Sequence, residues 1–154
     1  MPMTDAELLE RLSTRVPPTA VLLGMEMLSV SIAEGRTRMR FKVKREFCNP
    51  MGNLQGGFYA AMMDDAAATA IIAHSGERIV VPTLEFKISF LSPARVDTWV
   101  YVEGRVVKRG RTVAFAEADM TDESGKLLAR MSTTCLPQPM PANAMLVDAS
   151  AGEA

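Results

Sequence analysis

Two pairs of residues stand where chemistry could be done: Gly56-Gly57 at the end of a loop, and Asp64-Asp65 inside an otherwise apolar stretch. The glycines fall where a helix begins. Unpaired N–H groups at a helix N-terminus, with the positive end of its dipole, form a site for an anion or a developing oxyanion. Glycine lets a substrate approach that backbone closely, although a Gly-Gly pair also makes an ordinary tight turn into a helix. Asp64 and Asp65 interrupt a run of Ala, Met and Ile, and a carboxylate on a buried apolar helix is costly unless it is paired, hydrated or used. Either at least one of them faces a cleft, or one binds a buried arginine and the other is solvated. Thr69 reads as a core threonine bonding back to its own helix. Asp64 lies eight residues beyond Gly56, which is about 12 Å along a helix axis at roughly 1.5 Å per residue. One subunit cannot bring both to the same small carbonyl. If both act on one substrate, the glycine of one chain must meet the aspartate of another across long helices packed antiparallel.

Other chemistries are poorly served. No serine sits in a GxSxG turn, and the single histidine, His74, falls at the far end of the helix, where an imidazolium complements the dipole. A Ser-His-Asp triad is therefore excluded. Cys48 and Cys135 form no CxxC or Cys/His spacing, so no metal site is expected and a reducing cytoplasm is the natural location. Seventeen Lys and Arg against eighteen Asp and Glu leave a net charge of −1, which gives no overall field toward nucleic acid or an anionic membrane. No apolar run approaches the roughly 20 residues of a membrane span, and the start MPMTDAELLERL is acidic where a signal peptide is basic.

The elements that must position these residues follow from periodicity. With 154 residues, 48% of them hydrophobic, the chain makes one domain with a substantial core. We read residues 1–136 as that domain and 137–154, rich in Pro, Ala and small residues, as a flexible tail. Thr4 caps a short amphipathic helix over residues 4–15 that stops at Val16-Pro17-Pro18. Alternation over Met25–Ala33 and Arg36–Lys44 about a Glu34-Gly35 turn predicts a β-hairpin. Its basic stripe, Arg36, Arg38, Arg40, Lys42 and Lys44, reads as a solvated outer face, with phosphate binding as the alternative. The segment FCNPMGNLQGG, residues 47–57, must be a loop. Phe58–Ala73 is apolar on nearly all sides and predicts a buried helix, in which Phe58, Tyr59, Met62 and Met63 serve the core or line an apolar channel. Four strand-like runs follow, Ile79–Phe90, Thr98–Lys108, Thr112–Thr121 and Leu127–Leu136, and their short connections predict an antiparallel meander. The whole is an α+β domain with a twisted antiparallel sheet wrapped around a central helix, and its exposed sheet edges call for at least a dimer.

The loop NPMGNLQGG, the helix with Asp64, the strand VPTLEFKISFLSPAR and the stretch GRVVKRGRTVAFAEADMTDESGKLLARMSTT resemble the hotdog-fold thioesterases of the phenylacetic-acid-pathway type, over about Val21 to Leu136. The resemblance implies hydrolysis of acyl-coenzyme A to free acid and coenzyme A, by a homodimer that pairs further into a homotetramer, without metal or cofactor. It implies that Asn49 helps to place the thioester or the attacking water. It makes the Gly56 N–H the donor to the thioester carbonyl from the neighbouring subunit, and Asp64 the general base or nucleophile, with Asp65 a neighbour. Thr83 matches a hydroxyl that orients the water. Gln55 stands where many relatives carry histidine; it can donate a hydrogen bond but cannot act as a general acid.

Coenzyme A carries phosphates, and Lys108, Arg109 and Arg111 at a hairpin turn are the local candidates to hold them, with Arg95 and Lys87 behind; a solvated turn is the alternative. Two other readings compete with hydrolysis. One is a non-catalytic acyl-CoA-binding protein, favoured by Gln55. The other is a hydratase or dehydratase, for which His74 is poorly placed.

Overall fold

The computed structural model describes residues 1–152. Thr4 opens helix α1 (Asp5–Thr14) with a reciprocal cap: its hydroxyl accepts from the Glu7 N–H, and the Glu7 carboxylate accepts from the Thr4 N–H at 2.8 Å. Arg15 leaves the helix and joins a two-residue strand, β1 (Arg15–Val16). The double proline is a start as well as the expected stop. Pro18 occupies the first position of α2 (Pro18–Leu23), where its missing N–H costs nothing, and Gly24 closes that helix at φ 70°.

The predicted hairpin forms from β2 (Glu26–Ser31) and β3 (Arg36–Lys42). Thr37, Met39 and Phe41 point into the core while the basic residues point out. On that outer face Arg36 pairs with Glu103 and Arg40 with Glu26, and the Arg38 and Arg40 guanidiniums lie over the Tyr101 and Trp99 rings at 4.9 and 4.2 Å. These are solvated charges tied to their neighbours, as the hairpin's alternation implied.

The central helix α3 (Gly56–Ser75) runs two residues further at each end than its apolar run, between a Gln55 cap and Gly76 at φ 65°. It buries one face on the sheet, with Met62, Met63, Ala66, Ala67, Ala70 and Ile71 fully enclosed. It is not buried all round: Asp64, Asp65, Ala68, Thr69 and Ile72 on the opposite side are only partly covered.

The run Ile79–Phe90 divides at Pro82, which cannot donate to a ladder, into β4 (Ile79–Val80) and β5 (Thr83–Phe90). Then come β6 (Trp99–Arg109), β7 (Ala114–Thr121) and β8 (Leu127–Cys135). The sheet order is β2-β3-β6-β7-β8-β5, antiparallel throughout. Only β6, β7 and β8 form the expected meander. The connection after β5 is a crossover and not a hairpin turn, because the inner edge of β6 is taken by β3, whose apolar face needs a partner, and β5 pairs with β8 at the far edge. Among the described residues no helix is long and apolar enough to cross a membrane.

One contact fixes how α3 sits. Thr37 on β3 and Gly104 on β6 are directly opposite, and both meet the Ala66 carbonyl near the middle of the helix. The Thr37 hydroxyl donates to it at 2.9 Å, and a Cβ at position 104 would fall inside it. The segment after Leu136, expected to be flexible, carries two short pairings in the structure. Its β9 (Gln138–Pro139) pairs with β4, and its β10 (Val147–Asp148) pairs with β1. Two-residue ladders leave no periodicity for a sequence reading to detect.

Candidate active site

The loop before α3 is held by its own polar groups. Asn49 accepts on Oδ1 from the N–H groups of Met51 and Asn53, at 3.0 and 3.2 Å, and its backbone exchanges with Asn53 and Gly52. Its Nδ2 is therefore the end left to meet a ligand. Gln55 is committed in the same way: Oε1 caps the helix by accepting from Gly57 N–H at 2.8 Å, so the free end of this side chain is a donor. The Gly56 N–H has no acceptor among the described residues. A side chain at Gly56 would crowd the Phe90 ring, whose edge lies 3.3 Å from where a Cβ would stand. Tyr59 ties the helix start to the loop after β5, accepting from Ala94 N–H at 2.8 Å and donating to the Ser92 carbonyl at 3.1 Å.

Two turns further along α3, Asp64 turns toward β5, where the Thr83 hydroxyl donates to its Oδ1 at 2.8 Å. Burial raises the Asp64 carboxyl above the ordinary carboxylate range, and the Thr83 hydrogen bond works against that rise. Asp65 is more deeply enclosed. Burial first, and the Asp64 charge second, push it up to about 7, and its Oδ2 has no hydrogen-bond partner. Neither carboxylate pairs with an arginine among the described residues, so the structural alternative for this acid pair fails.

The structure thus joins Asp64 to Thr83, and groups Asn49, Gln55 and Gly56 at the helix start. Lys108, Arg109 and Arg111 lie at the end of β6 and in the β6–β7 turn, where Arg109 donates to the Gly110 carbonyl at 2.6 Å and shares a cross-strand row with Thr83 through Ala114 and Cys135. Tyr59, Met62 and Met63 serve the core, and Phe58 stacks on Phe47 with ring centres 4.4 Å apart. Sequence reasoning missed Cys135, which faces Thr83 across the β5–β8 ladder and lies 3.7 Å from the Thr133 hydroxyl. Only the strand pairing reveals it. His74 sits in the last turn of α3, as expected, with Nδ1 3.3 Å from the Ile32 carbonyl. Among the described residues no three His, Cys, Asp or Glu side chains cluster as metal ligands would.

A free amide at a helix start, and a half-buried carboxylate held by a hydroxyl, are the parts that acyl transfer to water requires. Comparison with known proteins agrees. Residues 51–129 match the family model described as Thioesterase superfamily. Human acyl-coenzyme A thioesterase 13 is 31% identical over 102 residues, covering 66% of this chain and 72% of that protein. The crystal structure of a phenylacetic acid degradation-related protein from Ralstonia eutropha JMP134 is 30% identical, with a TM-score of 0.76 over 85% of this chain and 97% of that one. A hypothetical thioesterase from Streptococcus pneumoniae TIGR4, solved with coenzyme A, shares the fold at 22% identity, with a TM-score of 0.67 over 75% of this chain and 89% of that one. The six-stranded antiparallel sheet around α3 is the hotdog fold, and the chain belongs to the thioesterase superfamily.

Proposed function

We propose that this protein hydrolyses acyl-coenzyme A thioesters to the free acid and coenzyme A. The observation that carries the reading is the Asp64–Thr83 pair: a carboxylate of raised proton affinity, half out of water, fixed by one hydroxyl at 2.8 Å. Such a group is a stronger base toward water than a solvated aspartate. Asp64 takes a proton from the attacking water, Thr83 and the Nδ2 of Asn49 hold that water and the thioester in place, and the Gly56 N–H receives the charge that builds on the carbonyl oxygen. The C–S bond then breaks. A thiol ionises near pH 8.5, so the thiolate leaves without a general acid, and a donor such as Gln55 Nε2 is enough to receive it. The proton held by Asp64 then neutralises the thiolate. The same carboxylate could instead attack the carbonyl as nucleophile and be released by water.

Twenty helical residues cannot fold back on themselves, so the Gly56 of one subunit serves the Asp64 of another. The apolar edge strand β5 supports this assembly, with Leu84, Phe86, Phe90 and Leu91 all exposed. A dimer formed there, doubled to a tetramer, is the working state. Human acyl-coenzyme A thioesterase 13 bears the activity in its name, and the same fold holds coenzyme A in the S. pneumoniae protein. Lys108, Arg109 and Arg111 are the cations we assign to the coenzyme A phosphates. The unpaired Cys48 and Cys135 suit a cytoplasmic setting. The test is thiol release from a panel of acyl-CoAs. Wild type turns over at least one of them, and Asp64→Asn lowers kcat by about a thousandfold; undiminished turnover in that variant removes the base.

A further inference from the structure

Thr133 on β8 is only 3% exposed, one of two buried polar side chains among the described residues. The other, Thr37, is the residue that pins α3 through the Ala66 carbonyl. A hydroxyl enclosed in a core costs stability unless it is bonded, so a buried threonine marks a bond that the fold uses. Thr133 donates to the Glu85 carbonyl of β5 at 3.0 Å. That carbonyl stands beside an irregularity in the ladder. Phe86 pairs with Thr133 and Glu85 with Thr134, but Thr83 pairs with Cys135, so Leu84 is an extra residue on β5. Phe86, Ile88 and Phe90 lie opposite the buried Thr133, Met131 and Ala129, and so share the side of the sheet that faces α3. Strict alternation from Phe86 would put Leu84 on that side and turn Thr83 away from the helix. The extra residue returns Thr83 to the helix side, where its hydroxyl meets Asp64 at 2.8 Å.

Thr133 thus grips the bulge from the neighbouring strand. Its oxygen also lies 3.7 Å from the Cys135 Sγ, which in turn meets the Thr83 hydroxyl. The hydroxyl hydrogens are already assigned, that of Thr83 to Asp64 and that of Thr133 to Glu85, so the Cys135 S–H is the donor that remains for the two oxygens. A line of contacts therefore runs from Thr133 to Asp64 without leaving the core. We propose that Thr133 is a positioning residue for hydrolysis: its hydroxyl holds the β5 bulge in the form that aims Thr83 at Asp64. Thr133 touches no substrate and acts only through Thr83. The assignment rests on the hydrolytic reading given above.

The test is a double-mutant cycle between Thr133→Val, which keeps the shape and loses the hydroxyl, and Thr83→Val. The readouts are kcat, KM and the pH profile on the thioester that wild type turns over fastest in a panel from acetyl-CoA to palmitoyl-CoA. Thr133→Val is expected to lower kcat by about tenfold with KM within about twofold of wild type, and to move the acidic limb of kcat/KM to higher pH, as Thr83→Val does. Thr133→Ala, which also lacks the hydroxyl, runs alongside so that the comparison stands if valine disturbs folding. Thr133→Ser retains the hydroxyl and is expected to keep kcat and the profile close to wild type. In the Thr83→Val background, Thr133→Val is expected to cost nothing further, because the group it positions is gone. A tenfold loss that persists in that background, or a wild-type kcat and profile in Thr133→Val, overturns the positioning role and leaves hydrolysis standing. A Thr133→Ser variant as impaired as Thr133→Val overturns it as well. Absence of thiol release by wild type from every thioester in the panel overturns the hydrolytic reading, and this inference with it.

Discussion

At Asp64 two influences oppose each other, burial raising its proton affinity and the Thr83 hydroxyl lowering it. On the proposed mechanism this carboxylate acts as base only when ionised, so the rate is expected to fall as pH drops through its raised value. Thr83→Val removes the opposing bond, and the acidic limb of the kcat/KM profile is expected to move to higher pH. Asp65 answers in stability. Its native value of about 7 lies above the ordinary carboxylate value, so the folded chain holds more protons than the unfolded one between those limits. Its native stability is full below that window and falls as pH rises through it. In urea melts, Asp65→Asn is expected to match wild type near pH 4 and to exceed it by on the order of 2 kcal/mol at pH 8. The acid pair was visible in the sequence because carboxylates are costly on an apolar helix. Which of the two faces the hydroxyl followed only from the family resemblance and not from the residues themselves, because Thr83 meets Asp64 through a strand nineteen residues away. The commitments of Gln55 Oε1 and Asn49 Oδ1 were equally hidden, since each depends on backbone donors placed by the folded loop.

The elements were legible wherever a local rule fixed them. Thr4 and Glu7 announced the cap of α1, alternation announced β3, strand composition between turns announced β7, and unbroken helix formers announced α3. The place of β5 was not legible, because strand order is settled by which apolar face finds a partner and not by the length of the connecting turn. Helix α2 was hidden because its proline reads equally well as a stop or as a first residue. The contact of Gly104 and Thr37 with the Ala66 carbonyl sets both the depth and the rotation of α3, and so the direction in which Asp64 points. Gly104→Ala forces a methyl group into that carbonyl. It is expected to cost about 3 kcal/mol in urea denaturation and to lower kcat with it, as the helix is pushed off the sheet.

On the proposed mechanism a neighbouring protomer supplies what one protomer cannot, and mixed assemblies test this. Asp64→Asn lacks the base. Gly56→Pro lacks the amide but keeps a backbone suited to the first position of a helix. Each variant alone is expected to be inactive. Unfolding and refolding the two together yields mixed dimers in which one site is intact and the other doubly defective, so about a quarter of wild-type thiol release should return. No recovery would mean that both groups act from one chain. The side of α3 turned away from the sheet depends on a different economy of structure. Its cover comes from the two extremes of the chain, stitched by the two-residue ladders β1–β10 and β4–β9, while the sheet that carries Asp64 and Thr83 is bonded along ladders several times as long. Cover and sheet are thus separately fastened: the two ends of the chain can come away from α3 without disturbing the ladders that hold Thr83 against Asp64.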